Sequence, residues 1–223
     1  MGMGMGMGCC STPCTPACAT VGSVGSDTGG LCTDCSTQVI IDHFGSLDPA
    51  WISSPGGCVG NGIGTVGPQA HVTGGVMDMG GGACILRPFT RPSLSGLCIQ
   101  VRAKIVAVPN GTAGIVLAYG RYFFARKTLG DYGRQSCIDA NGCIDISGNF
   151  TNFGTFAAGD IISFVFKDAG AGDGVCTVCY LVNGTTVRVE TGVTTCFPDP
   201  MYAGLQAATG TATQFDDFEV RTN

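Results

Sequence analysis

Charge is what this sequence has least of. Only 12% of its 223 residues are Asp, Glu, Lys or Arg, and the 11 basic residues form no cluster. With a net charge of −5, the chain lacks the basic patch that holds a phosphate backbone, which sets nucleic-acid partners aside. Histidine is nearly missing too. His43 and His71 are the only two, and without a G-x-S-x-G elbow nothing marks a Ser-His-Asp or Cys-His site. No apolar run approaches the roughly 20 residues of a membrane span. The first residues carry neither the basic nor the apolar region of a secretory signal. Gly6 stands where myristoylation needs Ser or Thr.

What is abundant is glycine, 37 residues, and cysteine, 14 residues. Glycine with many Ser and Thr fits short strands joined by turns and argues against a helical bundle. Fourteen cysteines exceed the usage of a reducing cytosol, so disulfides or a metal must account for them. An oxidising, extracellular location is therefore expected, reached by another export route, by lysis as virus particles are, or after loss of a signal.

Residues 1–8 alternate Met and Gly strictly. In an extended chain that period of 2 puts Met1, Met3, Met5 and Met7 on one face and only hydrogens on the other, the pattern of a strand that packs flush against a neighbouring subunit. A flexible glycine-rich tail is the other reading. Cys9, Cys10, Cys14, Cys18, Cys32 and Cys35 follow, interleaved with Pro13, Pro16 and a Gly-Ser run. Six cysteines allow about 15 pairings. The group reads as a disulfide knot, with bonds to other subunits included, or as a zinc site. Residues 1–38 are thus expected to be a Cys-rich, Gly/Met-rich N-terminal arm for anchoring or self-assembly.

From Val39 onward the pattern is all-β. Segment 97–108 alternates cleanly, with Leu97, Ile99, Val101, Ala103, Ile105 and Ala107 on one side and Gln100, Arg102 and Lys104 on the other. Asn183-Gly184 between two β-branched runs predicts a hairpin. Met201–Ala207 and the segment containing Phe218 and Val220 read as the closing strands. The closing "aGL…FDDFeV" pattern resembles the last two strands of concanavalin A-like (laminin G-like) jelly rolls. So do the "LD…W" opening at Leu47, Asp48 and Trp51, and the paired strands Ile115–Gly120 and Arg121–Arg126 written as short apolar runs around Gly120. The resemblance covers about residues 39–221. It implies a two-sheet antiparallel jelly-roll sandwich as domain 39–223. Trp51, the only tryptophan, reads as core packing of the opening strand, with a sugar-stacking platform as the other reading.

The resemblance also frames function. Sandwich-fold glucanases carry their carboxylates as an E-x-D-x-E strand, whereas Glu190 and Glu219 are the only glutamates here and stand in separate segments. The expectation from this absence is a non-catalytic structural or adhesion protein, a subunit of an appendage, fibre or virion displaying a glycan-binding jelly roll. A purely structural self-assembling subunit and a polysaccharide-acting enzyme are the alternatives. The expected ligand residues are Gln100, Arg102, Tyr119, Tyr122 and Arg126, which combine planar donors with aromatic faces. Because such jelly rolls often hold a structural ion, calcium at Asp42 with Asp216 or Asp217 is a further expectation, and the 139–145 loop is a second oxygen-rich stretch. Asn110, Asn149 and Asn183 match the glycosylation acceptor pattern.

Overall fold

A computed structural model describes residues 23–25, 30, 32–53, 70–80, 83–109, 113–117, 122–126, 132–135, 156–168, 175–194, 200–207 and 212–223. Among them there are fifteen strands and no helix. In chain order they are β1 (Ser23–Gly25), β2 (Thr37–Asp42), β3 (Ile52–Ser53), β4 (Ala70–Thr73), β5 (Val76–Gly80), β6 (Cys84–Phe89), β7 (Cys98–Ala107) and β8 (Ala113–Leu117). There follow β9 (Tyr122–Arg126), β10 (Tyr132–Gln135), β11 (Ile161–Asp168), β12 (Val175–Val182), β13 (Thr185–Thr194), β14 (Met201–Ala207) and β15 (Ala212–Thr222).

The strands form two antiparallel sheets, as the all-β sandwich reading expects. A nine-stranded sheet runs β1-β13-β12-β11-β7-β15-β5-β4, with β2 also paired to β15. A six-stranded sheet runs β10-β9-β8-β14-β6-β3. The two closing strands lie in opposite sheets: β14 sits between β6 and β8, while β15 sits against β7. On its other side β15 meets β5 with residues 212–215 and β2 with residues 218–222.

The alternation read from sequence fills the space between the sheets. Ile99, Val101, Ala103 and Ile105 of β7 are fully buried there with Phe164 and Phe166 of β11, Phe215 and Phe218 of β15, and Leu205 of β14. Trp51 is core as expected, its ring 5.0 Å from Phe218 and its Nε1 donating to Asp42 Oδ2 at 2.7 Å. The β12–β13 hairpin turns at Asn183 and Gly184, whose φ values of 51° and 75° are what a two-residue primed turn requires. Asn183 is the one acceptor-pattern asparagine among the described residues. Its amide is already committed, accepting from Ile161 N and donating to Asp160 at 2.8 Å.

β1 pairs with β13 and β2 with β15, and between them residues 32–35 cross the outer face of the large sheet. Residues 32–35 are pinned at every position. Cys32 is disulfide-bonded to Cys179 of β12, Thr33 takes a hydrogen bond from Lys167 of β11, Asp34 one from Gln100 of β7, and Cys35 is disulfide-bonded to Cys98 of β7. For two of the six cysteines this is the disulfide alternative, with the partners of Cys32 and Cys35 in the sandwich instead of among the other cysteines of the arm. The physical reason is the direction of the chain. Three residues of extended backbone span about 10 Å, which equals about two strand spacings. A C-x-x-C running across strands therefore reaches β12 with one thiol and β7 with the other. Cys9, Cys10, Cys14 and Cys18 lie outside the described residues. Residues 32–35 thus form a belt across the three strands, and under it sits a second small core of Val165, Leu181 and Val189 with the four half-cystines. Disulfides of this kind mark a protein that matures in an oxidising environment.

At the centre of the small sheet β14 approaches β6 so closely that a Cβ on Gly204 would stand 1.8 Å from the Ile85 carbonyl oxygen. Backbone cannot yield as a flexible side chain can. Gly204→Ala should therefore destabilise the sandwich by about 2 kcal/mol or more, read as a lower denaturation midpoint with an unchanged m-value. A neutral effect would show that the two strands can separate without loss.

Candidate functional site

The belt divides the outer face of the large sheet. On its covered side, Gln100 is only 2% exposed: its Oε1 accepts from Cys35 N, and its Nε2 donates to Asp34 at 2.7 Å and to Ser163 at 3.1 Å. Sequence alternation places Gln100 on a polar face, and the structure shows that residues 32–35 cover that part of it. Beyond the belt the face is open, and it carries an interlinked set of polar groups from β2, β7 and β15.

Glu219 is the hub of that set. Its side chain is 3% exposed and is met by three donors: Gln38 Nε2 at 2.6 Å, Arg221 Nε at 2.6 Å, and the Arg102 guanidinium. The two arginines are themselves about one-third open to solvent, so they neutralise the buried carboxylate while presenting N–H groups outward. One step along β15, Lys104 Nζ lies 3.9 Å from Asp217 Oδ2, and His43 Nδ1 donates to Asp217 Oδ1 at 2.7 Å. Asp217 stands in a bulge, where the register to β7 shifts between Asp216 and Glu219. Its φ of 49° is a left-handed conformation that an aspartate tolerates better than most residues. The bulge aims Asp217 at His43, and Asp216 holds it by accepting from Asp217 N at 2.8 Å. Phe44, next to His43, also has a positive φ of 48°. Its buried ring and the bond from its N–H to Asp42 Oδ1 hold it there. Ile41 and Ile161 are the large apolar side chains exposed at the borders of the field.

The residues expected from sequence separate into different places. Arg102 belongs to the open field. Tyr122 and Arg126 are in register with Leu117 and Ala113 of β8, in the small sheet, because the chain crosses the sandwich between β7 and β8. Tyr119 and the 139–145 loop lie outside the described residues. Asp42 turns toward the core side, where it accepts from Trp51 and Phe44 and lies 3.5 Å from Arg87, while Asp217 is bound to His43 on the outer face. No group of three His, Cys, Asp or Glu side chains converges among the described residues. Sequence reasoning missed His43, Gln38 and Arg221. Their signal was present only as neighbours of recognised strands.

The two glutamates are on opposite faces of one sheet. Glu190, on β13, is fully buried on the core side, held by Arg188 at 2.8 Å and by the Tyr180 hydroxyl at 3.2 Å. They cannot approach each other as a carboxylate pair.

No protein-family model and no curated protein matches the sequence. Solved structures do match in shape. One, from work on endo-acting O-glycanases of the human gut microbiota that initiate mucin breakdown, is 12% identical with a TM-score of 0.50, over 82% of this chain and 98% of that one. The CBM2 module of the Lactobacillus casei BL23 phage J-1 evolved Dit is 10% identical, with a TM-score of 0.48, over 83% and 95%. An endo-1,3-β-glucanase from Streptomyces sioyaensis is 12% identical, with a TM-score of 0.48, over 95% and 99%. At these identities the likeness is one of fold, a jelly-roll sandwich. It also corrects the expectation that the chain is not an enzyme. The same sandwich is shared with glycan-degrading proteins, and the missing E-x-D-x-E strand speaks only to one glucanase class.

The hub predicts an asymmetry between its members. Glu219→Ala leaves two arginines facing each other without a counter-charge and should cost about 3 kcal/mol. Arg102→Ala leaves Glu219 with Arg221 and Gln38, and should cost no more than about 1 kcal/mol. Urea denaturation of both variants reads the difference; equal costs would contradict the role of Glu219 as hub.

Proposed function

We propose that the open half of the large sheet's outer face binds a glycan. The observation that carries this reading is the field itself. Arg102, Arg221 and Lys104 supply donors and the half-exposed Asp217 supplies acceptors, and each is oriented before any ligand arrives, the arginines by the buried Glu219 and Asp217 by His43 and Lys104. Pre-oriented polar groups bind hydroxyl-rich ligands without the entropic cost of ordering long side chains. The opposite charges are paired within the field, which suits a neutral or weakly charged saccharide. Ile41 and Ile161 offer apolar edges for the carbon faces of sugar rings. The fold supports the same reading, since the names of its structural neighbours speak of glycanases, a glucanase and a carbohydrate-binding module.

A glycan array probed with the native chain and with Arg102→Ala tests it. The proposal expects a saccharide class to be retained by the native chain and bound at least tenfold more weakly by the variant, which keeps its fold. Unchanged binding would move the site away from this face.

A further inference from the structure

Strand β2 is an edge. It pairs with β15 along one side and, among the described residues, with no strand along the other. Edge strands of stable monomers are commonly guarded by Lys or Pro. The six residues of β2, TQVIID, contain neither. They expose two large apolar side chains instead, Val39 at 44% and Ile41 at 48%. The register to β15 shifts between Val220 and Arg221, so Val39 is the extra residue of a bulge and turns out beside Ile41.

The sequence holds a segment of matching character. Residues 1–8 alternate Met and Gly. As an added strand, their methionines would lie on the outer side beside Val39 and Ile41. Their glycines would lie on the inner side, where Ile40, Phe44, Trp51 and Phe218 already fill the space and no further side chain fits. Six of the eight residues are enough to cover the length of β2.

We propose that residues 1–8 of a second copy of this chain add to the open edge of β2 and extend the large sheet from one copy into the next. The occupant is another copy because of where the chain leaves the sandwich. β1 lies six strands away from β2 in the sheet order, about 29 Å at the usual spacing. A return to the same molecule's β2 would have to recross the outer face, part of which the belt at residues 32–35 already occupies. With donor and acceptor at opposite edges, the contact is head-to-tail and gives open chains of subunits. Main-chain hydrogen bonds supply the affinity of such strand addition, and the alternate side chains supply its register.

Sedimentation velocity of the full chain over a range of concentrations tests this, compared with two full-length variants. One is Val39→Lys with Ile41→Lys; the other is Met3→Ser, Met5→Ser and Met7→Ser. The native chain should form species larger than its 22.7 kDa monomer, and each variant should associate at least tenfold more weakly. A synthetic peptide of residues 1–8 should disperse the native assemblies. Because Val39 and Ile41 are exposed, circular dichroism should show the lysine variant folded; if it does not, the serine variant decides. A native chain that stays monomeric, or variants that assemble as the native chain does, would overturn the proposal.

Discussion

Two disulfide bonds, Cys32–Cys179 and Cys35–Cys98, hold four residues of chain flat across three strands, and much of the outer face takes its character from them. They bury Val165, Leu181 and Val189 on a side of the sheet that would otherwise face water. Each bridge also closes a long loop, with sequence separations of 147 and 63 residues. Closing loops of that size restricts the unfolded chain by several kcal/mol, on the order of 4–5 each in the chain-entropy account. The belt also sets the limits of the polar field. Where it lies, Gln100 bonds to it and to Ser163; where it stops, Arg102 and Lys104 reach solvent, and Arg102 covers the buried Glu219.

The field beyond the belt owes its order to two further constraints. One is the buried carboxylate of Glu219, which needs cationic partners and so fixes the two arginines that a ligand would meet. The other is the bulge at Asp217, which holds a non-glycine residue in a left-handed conformation and so brings a carboxylate to His43. Backbone strain of this kind persists only where the surroundings over-determine it. Here the buried ring of Phe218 anchors the chain beside Asp217, and the buried ring of Phe44 anchors the second positive-φ residue, next to His43.

Local pattern made much of this legible. The inward alternation of β7, the Asn183-Gly184 hairpin and the inward Phe218 and Val220 all follow from period-2 spacing and turn chemistry, which act within a few residues. What was not legible depends on distant partners. Cys32 and Cys35 find strands 147 and 63 residues away, and no local rule selects those pairings. Gln100 reads as solvent-facing because the residues that cover it come from before the sandwich. Tyr122 and Arg126 read as neighbours of Arg102 because they are near in sequence, yet the sheet changes between β7 and β8. The bulge at Asp217 is invisible to a strict period of 2, since one extra residue in a strand leaves no compositional mark.

Residues 32–35 belong physically to the sandwich, and peptide mapping of the unreduced native chain by mass spectrometry checks this. Cross-linked peptides joining Cys32 to Cys179 and Cys35 to Cys98 are expected. Cys32 joined to Cys35, or either one joined to Cys9, Cys10, Cys14 or Cys18, would contradict it and would leave the outer face of the sheet uncovered.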